Sequence, residues 1–207
     1  NIRFHHGENS NDESFAKKIA SLGDIYINDA FSCSHREQAS IHKITKYINE
    51  SYGGPQLKKE IDTINLVIKN KKKPVTCIIG GSKISTKINV VTSLVNNVDN
   101  IIIVGAMANN FLTFYGFKVG KSLVEKNIKT VVEKIYAEAK KNNCNIFIPE
   151  DYNVSTSLDG VGKIKNKNAI DDDEIILDIG PKTIEIIDRI IDQSNTILWN
   201  GPAGYFE

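Results

Sequence analysis

Residues 80–87, Gly-Gly-Ser-Lys-Ile-Ser-Thr-Lys, hold the side-chain types that handle phosphate. Gly80 and Gly81 let a backbone turn sharply and approach a ligand closely. The helix predicted to follow presents unpaired N–H groups and the positive end of its dipole, where an anion is stabilised. Lys83 and Lys87 are four residues apart, which on a helix puts both on one face. Like charges so placed repel by ~0.2–0.5 kcal/mol in an isolated helix, and a phosphate between them reverses the sign. The plain alternative is a strand-to-helix turn with two solvated lysines. Neither G-x-x-x-x-G-K-[ST] nor G-x-G-x-x-G occurs in this turn. Downstream, "GFKVGKS" (residues 116–122) ends in Gly-Lys-Ser, but its glycines are one residue too close for a Walker A loop and no strand precedes it. It reads as a loop before a helix that starts at Val124.

Arg3 in "NIRFHH" and Arg36 in "CSHREQ" are the other anion candidates, because a guanidinium fork suits phosphate and carboxylate bidentately. The plain alternative is two surface arginines. The four histidines, His5, His6, His35 and His42, match no standard zinc spacing and have no cysteine pair beside them, so no metal site is assigned to them. "LWNGPAGYFE" closes the chain with a sharp Asn-Gly-Pro turn after a strand, and Glu207 could accept hydrogen bonds from ribose hydroxyls. Its plain alternative is a structural turn with Glu207 opening a helix. In "DIGPK", Pro181 is placed to start a helix and the segment may be only a connection.

These groups need elements to position them. From Lys73 onward, "VTCIIG", "IIIVG", "NIFIPE", "EIILDIG" and "TILWN" are apolar runs of strand length. Stretches of helical spacing separate most of them, including Val124, Ile128, Val131 and Ile135, then Ile184, Ile187 and Ile191. Such alternation predicts β-α-β units and a parallel sheet with helices on both faces. The polar residues 151–173 break the pattern and read as a long loop. The unusual residues gather at the C-terminal ends of the five strands, the edge where open parallel sheets bind ligands, so one shared cleft is predicted. Before Lys73, Phe15, Ile19 and Leu22 mark a short helix, with Asn11 and Asp12 as capping candidates and Gly23 as the stop. Leu57, Ile61, Ile64 and Ile68 mark another helix behind "GGP" that could join two lobes.

The 207 residues, 41% of them hydrophobic, suffice for one large or two small globular domains. The net charge of +1 gives no reason for non-specific attraction to nucleic acid or to an anionic membrane. No apolar run approaches the ~20 residues of a membrane helix, and no signal pattern opens the chain. Cys33, Cys77 and Cys144 are far apart and form no C-x-x-C pair, which suits reduced thiols in a cytosol-like compartment. A start at Asn1 and a stop just beyond an apolar run read as a piece of something longer.

The order of "NIRFH", "LGDIYINDAF", "SHRE", "GGSKISTK", "GAMANNFL", "GKSLVE", "DIGPKT" and "WNGPAGYFE" resembles that of phosphoglycerate kinases over essentially all of the chain. The resemblance implies an α/β protein of parallel sheets with helices on both faces, a Rossmann-like two-lobed kinase incomplete at both ends. Residues 1–50 would close the phosphoglycerate-binding lobe, 51–72 would hold the interdomain helix, and 73–207 would form an incomplete nucleotide-binding lobe. It implies reversible phosphoryl transfer between 1,3-bisphosphoglycerate and ADP, giving 3-phosphoglycerate and ATP, in a cytoplasmic monomer with no nucleic-acid or membrane partner.

By the same resemblance, Arg3 and Arg36, with His35 beside them, would hold the phosphoglycerate. Lys83 would follow the transferring phosphoryl group and Lys87 would contact nucleotide phosphates. Gly81 and Ser82 would line the nucleotide, Gly105 and Ala106 would form the adenine slot, and Leu177 and Leu158 would pack on the base. Asn200, Gly201 and Pro202 would pass the phosphates, and Glu207 would hold the ribose. The sequence departs from the family pattern at Ala106, in "VGAMA" where Gly-Gly-Gly-Met-Ala is usual, and at Gln38, where a second histidine is common. The early segment with further substrate-binding residues is missing, as is the later Gly-Gly-Gly-Asp segment whose aspartate holds Mg²⁺. The fragment alone is therefore expected to be inactive. The competing class is a non-catalytic nucleotide-binding remnant. A nicotinamide-dependent oxidoreductase is disfavoured because no dinucleotide fingerprint follows any strand.

Overall fold

The computed structural model describes residues 1–69, 71–82, 84, 85 and 87–205; of Val67, Ile68, Lys69 and Ile88 it describes the backbone alone. The chain divides into two compact units, Asn1–Asn70 and Lys71–Glu207.

In the first unit, α1 (His6–Asn9) leads to α2 (Glu13–Ala20). Asp12 caps α2 by accepting from the Phe15 N–H at 2.8 Å, as its position in the sequence predicts. Strand β1 (Ile25–Asn28) pairs in parallel with β2 (Glu50–Gly53), Ile25 opposite Glu50. The polar segment before "GGP" thus contains a strand with no apolar signature. Helix α3 (Pro55–Lys69) follows, and Asp29, just beyond β1, accepts from the Leu57 N–H at 2.8 Å. Leu57, Ile61 and Ile64 lie on this helix as predicted, whereas the Ile68 side chain lies outside the described residues.

The second unit runs β3 (Val75–Ile79), α4 (Ile88–Val95), β4 (Asn100–Ile103), α5 (Ala106–Phe114), α6 (Lys129–Lys141) and β5 (Asn145–Phe147). It continues with β6 (Asp151–Ser155), β7 (Lys163–Asn166), β8 (Ile175–Ile179), α7 (Pro181–Asp192) and β9 (Thr196–Asn200). A four-stranded sheet has the order β5-β4-β3-β9, and every pair is parallel. Alternate residues feed two cores. Cys77, Ile79, Ile101 and Ile103 pack with Val91, Met107, Phe111 and Ile135 from α4, α5 and α6. Ile78, Ile102 and Val104 pack with Ile187, Ile190 and Ile191 of α7. Each buried isoleucine contributes ~1.5–3 kcal/mol relative to exposure, which holds helices to both faces of the sheet.

Three expectations change here. Residues 151–173 are not a plain loop, because β6 and β7 fall within them. Strand β8 does not join the parallel sheet; it pairs antiparallel with β6 in a separate sheet of order β7-β6-β8. Buried polar groups hide β6 from a hydrophobicity reading. Asp151 and Ser155 are buried together with Tyr152 and Val154. Asp151 is satisfied by the N–H groups of Lys182 and Thr183 and by the Thr183 hydroxyl, at 3.0, 2.8 and 2.6 Å. These bonds cap α7, whose first residue is Pro181 as predicted. The helix expected from Val124 begins instead at Lys129.

Candidate functional site

A cavity of about 640 Å³ opens at the C-terminal ends of β3, β4 and β9. One wall is backbone: Gly81 and Ser82 after β3, Gly105 and Ala106 after β4, and Pro202 to Tyr205 after β9. The opposite wall is made by Ile175 to Ile179 of β8 together with Leu158, and Asn109, Lys121, Leu123 and Tyr152 complete the lining. The three turns are knitted together. The Gly80 N–H donates to the Asn200 carbonyl at 2.8 Å, Gly105 to Ala203 at 2.9 Å, and Met107 to Gly81 at 2.8 Å. Gly105 has φ of 64°, and a Cβ there would stand 2.9 Å from the Pro202 carbonyl oxygen and 3.0 Å from the Gly81 nitrogen. Only glycine meets both demands. Burial pushes the Tyr152 phenol well above its ordinary pKa, so it faces the cavity neutral. An apolar slot with a backbone wall suits a flat, uncharged ring.

Beside this slot, the Lys87 ammonium donates to Asn200 Oδ1 at 2.8 Å and to the Gly80 carbonyl at 3.1 Å, joining the ends of β9 and β3. Helix α4 begins after Lys87, so that lysine stands at the cap rather than within the helix. Two N–H groups of this turn are already taken. Those of Ile84 and Ser85 donate to the Glu125 carboxylate at 2.7 and 3.0 Å. An internal carboxylate thus takes two backbone donors of the turn, beside the lysines that the sequence reading gave to phosphate. Lys83 lies outside the described residues.

A profile of the phosphoglycerate kinase family matches residues 1–207. The chain belongs to that family. It is 47% identical to the phosphoglycerate kinase of Wolbachia sp. subsp. Drosophila simulans (strain wRi) over all of this chain and 52% of that protein. It is 48% identical to that of Wolbachia pipientis subsp. Culex pipiens (strain wPip), with the same coverage. Phosphoglycerate kinase from Coxiella burnetii superposes with a TM-score of 0.78 at 37% identity, over 99% of this chain and 53% of that structure. The chain spans about half the length of the curated relatives it matches.

Of the residues that the phosphoglycerate kinase resemblance singled out, Gly81, Ser82, Gly105, Ala106, Leu158, Leu177 and Pro202 line the one cavity. Asn200 and Gly201 border it through Lys87 and through the contact of Gly201 with Gly80. Glu207 lies outside the described residues. In the first unit Arg3, His35 and Arg36 are all exposed. The loop holding His35 and Arg36 is tied to the end of β1, where Asn28 Nδ2 donates to the Ser34 hydroxyl at 2.9 Å. Gln38 does not belong to a surface patch: it is buried and donates to Asn9 Oδ1 at 2.6 Å. The other histidines have structural neighbours, His5 against the Phe15 ring and His42 against Asn11.

The sequence reading missed Leu123, Tyr152 and Glu125. "GKSLVE" stood among the family motifs, yet nothing local said what its carboxylate would reach. The decoy "GFKVGKS" is a structural strap: Lys121 N–H donates to Glu174 at 2.7 Å, and Ser122 Oγ accepts from Ile176 at 2.8 Å, fastening β8 as a cavity wall. The three cysteines are free, and burial pushes the Cys77 and Cys144 thiols up to about 11, so neither is a nucleophile at neutral pH. No described helix is long and apolar enough to cross a membrane.

Proposed function

We propose that the full-length protein carrying this chain is a phosphoglycerate kinase, moving a phosphoryl group between 1,3-bisphosphoglycerate and ADP to give 3-phosphoglycerate and ATP. The observation that carries this reading is the apolar slot closed by Gly81, Gly105 and Pro202, with the Lys87 ammonium held beside it by Asn200. The adenine lies between Gly105–Ala106 and the Leu177–Leu158 wall. The phosphates run past Asn200, Gly201 and Pro202 toward Lys87 and Lys83, and Glu207 takes the ribose. Arg3, Arg36 and His35 hold the phosphoglycerate from the first unit, which ends the phosphoglycerate lobe, while residues 51–72 carry the interdomain helix and 73–207 the nucleotide lobe. The reaction needs little covalent help from the protein. It needs in-line placement of donor and acceptor and positive charge on the transferring group, and Lys83 supplies that charge.

Mg²⁺ accompanies the nucleotide in this reading. By the family resemblance its protein ligand is the aspartate of a Gly-Gly-Gly-Asp segment, which this sequence does not contain. The protein works as a cytoplasmic monomer, and the 207-residue chain alone is inactive.

The test is ATP consumption dependent on 3-phosphoglycerate and Mg²⁺, coupled to nicotinamide oxidation, in the full-length protein and in Lys83→Ala. Turnover in the first and a fall of about 10²-fold or more in kcat in the second, with nucleotide affinity little changed, is expected for a group acting mainly in the transition state. Nucleotide binding without turnover in the full-length protein would instead favour a non-catalytic binding remnant.

A further inference from the structure

The Glu125 carboxylate does more than fill the anion position of the glycine turn. It accepts from the N–H of Ile84 at 2.7 Å, from the N–H of Ser85 at 3.0 Å, and from the Ser85 hydroxyl. Lys83 is covalently adjacent to Ile84, and Lys87 is two residues beyond Ser85. The segment that carries Glu125 is itself anchored to α5. The Glu125 N–H donates to Asn110 Oδ1 at 2.9 Å, and the Leu123 carbonyl accepts from Asn109 Nδ2 at 3.1 Å. Asn109 and Asn110 are 1% and 0% exposed, so their rotamers are fixed by packing. A continuous strut therefore runs from the buried face of α5, through 123–125, to the turn that holds both lysines.

We propose that Glu125 is a positioning residue for phosphoryl transfer, fixing the turn so that Lys83 and Lys87 meet the phosphates in one geometry. The inference rests on the kinase reading above for its catalytic consequence, but the strut itself does not. The chemistry follows from the bonds. With the Ile84 and Ser85 amides taken by a carboxylate, a phosphate cannot use them, and a second anion there would be repelled. Lysine side chains reach far, and fixing the backbone that carries them narrows the geometry in which they meet the phosphates. Three charge-assisted bonds to one carboxylate supply that rigidity. Loss of the strut would leave the lysines present but misplaced, and a shift of about 1 Å can cost about 10²-fold in rate.

The test uses the full-length protein and compares wild type, Glu125→Ala, Glu125→Gln and Ser85→Ala in the coupled assay, with hydrogen exchange of residues 81–88 measured alongside. In Glu125→Ala, kcat should fall about 10- to 100-fold while KM for ATP and for 3-phosphoglycerate stays within about 3-fold. Glu125→Gln keeps an acceptor oxygen and should recover part of the loss. Ser85→Ala removes the hydroxyl bond, one of those to the carboxylate among the described residues, and should lower kcat by about 2- to 3-fold. Exchange of the Ile84 and Ser85 amides should quicken in the same order. Wild-type kcat per folded molecule in Glu125→Ala, with lower stability alone, would overturn the proposal. Should that variant fail to fold, unchanged kcat in both Glu125→Gln and Ser85→Ala would overturn it equally. An inactive wild type would sink the kinase reading instead. In that case unchanged amide exchange in Glu125→Gln would still refute the strut.

Discussion

The two walls of the cavity are built from different materials. After β3, β4 and β9 the wall is backbone. Gly80, Gly105 and Gly201 let three turns approach so closely that an added methyl group at Gly80 would overlap the Pro202 carbonyl, and one at Gly201 the Gly80 carbonyl. Across from it, β8 presents the half-buried side chains of Ile175 to Ile179, carried by a small antiparallel sheet. The first wall is fixed by the parallel sheet beneath it and by glycines that tolerate no added side chain. The second can change area and shape one residue at a time. Phosphate chemistry needs fixed donors, and base binding needs apolar area, so the difference suits the nucleotide site proposed above.

The sharpest way to break this comparison is Gly80→Ala. The clash is with backbone that is hydrogen-bonded on both sides, so nothing can rotate away, and the cost should be ~4 kcal/mol or more. A urea unfolding midpoint measured on the full-length protein reads it. A loss below ~1 kcal/mol would mean that the turns are not in contact. Next in size is Asp151→Asn, which tests how the side-chain wall is held, because Asp151 joins β6 to the start of α7. Burial opposes ionisation of this carboxyl most strongly. The Thr183 hydroxyl, the Lys182 and Thr183 amides and the Lys182 charge outweigh it and hold the pKa below the usual range. A depressed carboxyl stabilises the fold above its unfolded pKa of ~3.9, and that stability is lost as pH falls through the lower folded value. Wild type should therefore exceed Asp151→Asn by ~2 kcal/mol at pH 7, with the gap closing as pH drops below about 4. A gap independent of pH would show that the asparagine disturbs packing rather than removing a charge.

The backbone wall was legible in the sequence and the strut beneath it was not. "VTCII" announces β3 because all five residues are buried between two helical layers and only Thr76 among them is polar. Asp12 and Pro181 announce helix starts because a cap acts within three or four residues of itself. Glu125 acts on backbone 40 and 41 residues away, and such a bond leaves no periodicity to read. Strand β6 was hidden for a related reason. Its buried Asp151 finds its partners 31 and 32 residues later, so a strand reads locally as a polar loop. The phosphate reading of the turn came from local rules, and such rules give no sign that a distant carboxylate accepts from the Ile84 and Ser85 amides.

The smaller predictions concern the two walls directly. Leu177→Ala removes apolar area from the β8 wall and should weaken ADP binding by about 5- to 10-fold, roughly 1 kcal/mol, with kcat little changed. Ala106→Gly trims the opposite wall by one methyl group. If the base lies between the two, the slot widens where the family usually has glycine, and affinity for ADP should improve by about 2-fold. The same change places glycine in the first turn of α5 and should cost ~0.5–1 kcal/mol of stability. Affinity and stability would then move in opposite directions at one position, which a general loosening of the fold cannot produce. Isothermal titration with ADP beside a thermal melt separates the two. Weaker binding in Ala106→Gly would mean that the methyl group contacts the base favourably, and that the side-chain character of the β8 wall extends across the slot to α5.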